Sequence, residues 1–122
     1  MPFRAKRVYD PPSPEDGLRV LVDRIWPRRL PKEKARVDWW ARELAPSDGL
    51  RRWFAHDPEK YPEFVRRYRE ELKGNPALAR LKAMGEEGTV TLLFGAKETR
   101  YNNAQALLAV LEEGGLTGGE GA

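Results

Sequence analysis

A small α/β domain with a mostly parallel three-stranded sheet flanked by helices is the fold the sequence predicts, and three observations predict it. Gly88 to Phe94 is almost continuously apolar, as a strand buried on both faces requires. Leu18 to Trp26 is β-branched and apolar, with Asp23 and Arg24 at its polar end. Between these strands lie several helical periodicities, with no repeat and no linker. The 122 residues, 40% hydrophobic and without cysteine, suffice for one core that needs no disulfide or Cys-bound metal. A single domain is expected over residues 1–116, with a frayed tail over 117–122.

Phe3 to Tyr9 alternates and forms the first strand, which stops at a loop holding Pro11, Pro12 and Pro14. About eight residues then separate the first two strands, fewer than the dozen or so of an ordinary parallel crossover. An antiparallel first strand is therefore the alternative. Pro27 ends the second strand. After Pro31, residues Val37, Trp40, Ala41 and Leu44 recur at helical spacing and predict an amphipathic helix that closes before Pro46. Ser47 caps a short helix with Leu50, Trp53 and Phe54 inward, broken at His56-Asp57-Pro58. Pro62 marks the first turn of the next helix, whose face is Phe64, Val65, Tyr68 and Leu72, and Gly74 terminates it. Asn75-Pro76 opens a helix bearing Leu78, Leu81 and Met84, closed by Gly85. The last helix carries Ala104, Leu107, Leu108 and Leu111 and stops at Gly114-Gly115.

Absent cysteine removes thiol nucleophiles and redox pairs, and a single histidine, His56, removes a His-rich metal site. No metal-ligating residues are assigned, an all-oxygen Mg²⁺ site is left open, and the cofactor is unknown. No apolar run approaches a membrane span, so a soluble cytoplasmic chain with no membrane partner is expected. The net charge is only +3, yet residues 1–36 carry ten Lys/Arg against five Asp/Glu, while the remainder is slightly acidic. Anion binding is sought first in that basic third.

In parallel sheets, ligands bind beyond the carboxyl ends of the strands. That rule selects Tyr9, Asp23, Arg24, Trp26, Arg28 and Lys97, with Asn102 and Asn103 opening the last helix. Such a rim suits an anionic small molecule, phosphate esters included, held by Arg24, Arg28 and Lys97 with Trp26 as a stacking surface. Asp23 orients a cation or acts as base, and His56 shuttles a proton if it reaches the rim. The bland alternatives are a salt-bridge network tying loop ends together and a helix-capping His56. A second reading is a nucleic-acid-binding module that uses Arg24 to Arg36. A third is a non-catalytic subunit with a partner surface at Trp39, which lies off the predicted helical stripe.

Arg7-Val8-Tyr9-Asp10, Leu21-Val22-Asp23-Arg24-Ile25-Trp26-Pro27-Arg28, Leu44-Ala45-Pro46-Ser47, His56-Asp57-Pro58, Ala96-Lys97 and Asn102-Asn103-Ala104 together resemble the domain-of-unknown-function 488 (DUF488) family in its YeaO-like branch. The resemblance runs from Phe3 to about Leu111 and implies a single-domain cytoplasmic α/β protein without an assigned reaction. Other branches carry a cysteine motif after the last strand, where Gly95-Ala96-Lys97 and Asn102-Asn103 stand here. The family's usual Trp-Pro-Arg-Gly is Trp26-Pro27-Arg28-Arg29 in this chain, so the loop departs from the family pattern.

Overall fold

The structure is a computed structural model that describes the backbone of residues 2–121 and the side chains of residues 2–112. Four strands, β1 (Phe3–Arg7), β2 (Leu18–Leu21), β3 (Trp39–Trp40) and β4 (Val90–Phe94), form one all-parallel sheet in the order β1-β4-β2-β3. The helices are α1 (Lys32–Ala35), α2 (Asp48–Phe54), α3 (Tyr61–Leu72), α4 (Pro76–Glu87) and α5 (Asn103–Gly121). Among the described residues no helix is long and apolar enough to cross a membrane.

The direction of β1 is parallel, which removes the antiparallel alternative. Residues 8–17 return from the end of β1 to the start of β2, skipping the place that β4 fills. The span is roughly 16 Å along the sheet and 10 Å across it, inside the roughly 33 Å reach of ten extended residues. A single 3₁₀ turn, Pro14–Asp16, therefore suffices where a helix is customary. Ser13 and Asp16 cap that turn reciprocally. Gly17 follows with φ 62°, and a Cβ there would lie 2.2 Å from the Thr89 carbonyl oxygen that binds Leu18 N–H.

Strand alternation divides the interior into two unequal layers. Val20, Val22, Val90, Leu92 and Phe94 face a thick layer that includes Phe54, Phe64, Tyr68, Leu81 and Leu107. Leu21 and Leu93 face a thin layer with Val8 and Ala35, closed by Trp26, Leu30, Val37 and Trp40. Burial of each of these large side chains contributes about 1.5–3 kcal/mol.

The helix expected over Val37 to Leu44 is not formed. Trp39 and Trp40 pair instead with Val20 and Leu21 as β3, and a 3₁₀ turn covers Arg42–Leu44. Two adjacent large aromatics explain the difference. A strand sends Trp39 to the thick layer and Trp40 to the thin one, whereas a helix buries only one of them well. The sheet accordingly has four strands where three were expected. Trp39 is half-buried, and the Arg80 guanidinium lies 4.1 Å from its ring centre.

The helical middle of the chain follows its capping signals. The Ser47 hydroxyl accepts from Leu50 N–H, the Asn75 side chain accepts from Ala77 N–H, and Phe64, Val65, Tyr68 and Leu72 are all buried. Gly85 does not close α4, which continues to Glu87. Its hydrogen faces the Phe3 ring, and an added Cβ would sit 2.3 Å from that ring's tip. Gly85→Ala is expected to cost about 1–2 kcal/mol by overpacking, read as a lower urea midpoint at unchanged slope. Along the backbone α5 passes the stop expected at Gly114-Gly115. The tail expected over 117–122 lies outside the residues whose side chains are described.

Candidate functional site

The carboxyl ends of all four strands share one rim, and a cavity of about 190 Å³ opens there. It is lined by Asp23, Arg24, Ile25, Ala45, Pro46, Asp48, Arg51, Phe54, His56, Phe64, Ala96 and Asn103. Four of the expected site residues, Asp23, Arg24, His56 and Asn103, thus meet in one place.

Asp23 fastens the rim. One carboxylate oxygen accepts from Gly95 N–H at 2.8 Å and the other from the Asn103 amide at 3.1 Å. The same amide nitrogen also donates to the Val22 carbonyl at 2.9 Å, which ties the start of α5 to the end of β2. The Asp23 carbonyl accepts the Trp40 indole N–H at 2.8 Å. Burial raises the Asp23 carboxyl above the usual aspartate range, against the opposing pull of the Asn103 and Gly95 hydrogen bonds and of the His56 and Arg51 charges. A Cβ at Gly95 would lie 3.1 Å from the Asp23 oxygen, a tight contact that requires the carboxylate to give by a few tenths of an ångström.

The cationic groups come from separate elements. Arg24 follows β2 and donates to the Pro46 carbonyl at 3.2 Å. Arg24 and Arg51 flank Asp48 at 3.7 and 3.8 Å, with all three side chains well exposed. Pairs this long and wet are each worth less than about 1 kcal/mol, so both guanidiniums stay open to a better partner. His56 is held by unusual backbone. Ala55 and His56 have φ values of 46° and 57°, two successive left-handed residues without a glycine, which costs about 1 kcal/mol or more apiece. Its Nδ1 lies 2.8 Å from the Tyr101 carbonyl, an acceptor, so Nδ1 carries the proton and Nε2 is the atom that can meet a ligand. His56 therefore does not cap α2, whose last turn closes through Ala55 N–H to the Arg51 carbonyl.

Other expected residues lie elsewhere. Trp26 packs edge-on against Trp40 in the thin layer, and its indole N–H donates to the Leu30 carbonyl. Tyr9 donates its hydroxyl proton to the Arg28 carbonyl and lines a separate groove. Arg28 and Lys97 are exposed and outside the cavity. Asn102 is fully buried and caps α5, accepting from Gln105 N–H and donating to the Glu98 carbonyl. The sequence reading missed Asp48, Arg51 and the apolar floor of Phe54 and Phe64. Helical spacing does place Arg51 one turn after Asp48, but only the path of residues 23–46 carries α2 over the end of β2. Among the described residues no group of three or more His, Cys, Asp or Glu side chains could hold a metal ion.

Comparison with known proteins supplies a family and no ligand. The uncharacterized protein Rv3073c of Mycobacterium tuberculosis is 42% identical over 108 residues, 88% of this chain and 92% of the relative. The uncharacterized protein YeaO of Escherichia coli is 39% identical over 108 residues, 88% of this chain and 94% of the relative. No solved structure gives a significant match. A family model described as "Inactive DUF488-N3 subclade" matches residues 2–118, so the chain belongs to the DUF488 family.

Proposed function

We propose that the rim cavity is a non-catalytic binding site for a small molecule that joins an anionic group to an apolar body. The observation that carries this reading is the convergence of Arg24, Arg51 and His56 on a cavity floored by Phe54 and Phe64. The guanidinium forks of Arg24 and Arg51 suit a carboxylate, sulfonate or phosphate, and the aromatic floor suits the rest of the ligand. Asp23 serves this pocket as part of its wall, each of its oxygens accepting a hydrogen bond from the rim. The family description as inactive also favours binding without turnover.

Benzenesulfonate, phenyl phosphate and benzoate are the probes, with benzamide as the neutral control. Calorimetry is expected to give sub-millimolar to millimolar binding of the three anions and none of benzamide. Backbone amide shifts should centre on Arg51, His56 and Asn103. Arg51→Ala should weaken the anions roughly tenfold, the worth of one charge-assisted hydrogen bond. Equal affinity for benzamide, or shifts centred away from the cavity, would sink the reading.

A further inference from the structure

The chain's cations are not distributed alike. Lys6, Arg19, Arg66, Arg67 and Lys73 are held by acidic side chains, and Arg24 and Arg51 share Asp48 at longer range. By contrast Arg28, Arg29, Lys32, Lys34 and Arg36 are all exposed, and among the described residues none has a side-chain hydrogen bond or ion pair within the chain. Five such side chains fall within nine residues.

Their backbone, unlike their side chains, is firmly tied. The Arg28 carbonyl accepts the Tyr9 hydroxyl and the Leu30 carbonyl accepts the Trp26 indole. The Ala35 and Arg36 carbonyls accept the buried Arg19 guanidinium. Arg29 and Arg36, with φ values of 56° and 51°, are both held in the left-handed region that side-chain-bearing residues seldom adopt. The loop is thus fastened from beneath through its carbonyls and left with its charges unspent, which is preorganisation for an anionic partner.

Beside it runs a shallow groove of about 420 Å³ lined in part by Tyr9, Asp10, Leu30, Glu33, Lys34 and Arg36. Tyr9 is 40% exposed, and the Arg7 guanidinium lies 5.0 Å from its ring centre. From these features we infer that the groove and its basic flank bind single-stranded nucleic acid. The phosphates follow Arg28, Arg29, Lys34 and Arg36, and one base stacks at Tyr9. A duplex hides its base faces, and the four-residue α1 is too short to serve as a groove-reading helix. Asp10 and Glu33 balance the cations inside the groove, which suits amino-bearing base edges there and phosphates on the flank. An anionic membrane surface finds no such use for two acids.

The test uses the full chain and a fluorescein-labelled, unstructured mixed dA/dC oligonucleotide of about 15 nucleotides, followed by anisotropy between about 50 and 200 mM salt. The expected result is binding whose log affinity falls with log salt at a slope of about −2 to −3, the release expected from three or four phosphates. The double charge reversals R28E/R29E and K34E/R36E should each weaken binding at least tenfold. The reversal R52E/K82E, equal in charge and placed elsewhere, should change it less than twofold. Tyr9→Ala should cost roughly tenfold and Tyr9→Phe should retain most of the affinity, which separates stacking from the hydroxyl's contact. Equal weakening by R52E/K82E would reduce the effect to net charge and overturn the proposal. So would absence of binding to the oligonucleotide, or capture of the chain by phosphatidylserine vesicles with no oligonucleotide binding.

Discussion

Asp16→Ala is expected to remove about 3–5 kcal/mol of stability, the largest loss from any single side chain considered. Asp16 is 3% exposed and holds three donors at once: Ser13 N–H at 3.0 Å, the Arg19 guanidinium at 2.5 Å and the Lys6 ammonium at 3.1 Å. Arg19 is equally buried, so truncating its partner strands a guanidinium that cannot lose its charge. Among the described residues its remaining side-chain hydrogen bonds would go to two backbone carbonyls, those of Ala35 and Arg36, and neither neutralises it. A domain of this size has roughly 5–15 kcal/mol in total, so the variant should lie close to unfolding at room temperature. Urea titration followed by circular dichroism checks this. Glu15→Ala, one residue away and exposed, should stay within about 0.5 kcal/mol of the parent.

The same residue sets an acid limb. Burial pushes the Asp16 carboxyl up, but the Lys6 ammonium, the Ser13 N–H and Arg19 together outweigh it and hold it below the usual aspartate value. A carboxyl depressed in the fold contributes stability above its unfolded value, and that contribution is lost as pH falls toward the folded value. Asp23 acts in the opposite sense. Its raised carboxyl favours the folded state most at low pH, and that preference fades as pH rises through the interval between unfolded and folded values. Asp16→Asn should therefore flatten the loss of stability below about pH 4, and Asp23→Asn should remove a gain in stability that the parent makes as pH falls toward about 4.

How legible these features were from sequence depends on how local their causes are. The caps at Ser47 and Asn75, the prolines at 58, 62 and 76, and the apolar run of β4 act within a few residues and could be read directly. The meeting of Asp23 with Asn103 followed from parallel topology, which carries the ends of β2 and β4 to one rim. Trp39-Trp40 was misread because Val37, Trp40, Ala41 and Leu44 happen to satisfy a helical period, while the deciding fact is that the sheet has two buried faces. Trp26 was misplaced for the same reason. A thin layer covering Leu21 and Leu93 needs large aromatics, and nothing in the spacing announces that layer. The contribution of Arg51 rests on where α2 crosses the sheet, a tertiary fact with no local signature.

At the rim, Asp23→Ala should leave the fold standing and dismantle the site. Its loss leaves Gly95 N–H and one donor of Asn103 without their acceptor, at a cost of about 1–3 kcal/mol for each buried group that finds no water. Asp23→Asn is the sharper probe. Its carbonyl can still accept from Asn103, whereas its amide would present a donor to the Gly95 donor, so only one of the two fastenings survives. Hydrogen exchange at Gly95 should accelerate by roughly ten- to a hundredfold in Asp23→Asn, with benzenesulfonate affinity falling alongside it. Arg51→Ala should lose the same affinity with Gly95 exchange unchanged, because Arg51 is placed to touch the ligand and Asp23 to hold the wall. In the parent, correcting for intrinsic exchange, Gly95 protection should also fall as pH drops through the raised Asp23 value, since a protonated carboxyl gives up one acceptor. If Asp23→Asn abolished probe binding while Gly95 stayed protected, Asp23 would be a direct ligand contact and its role as a fastener would have to be abandoned.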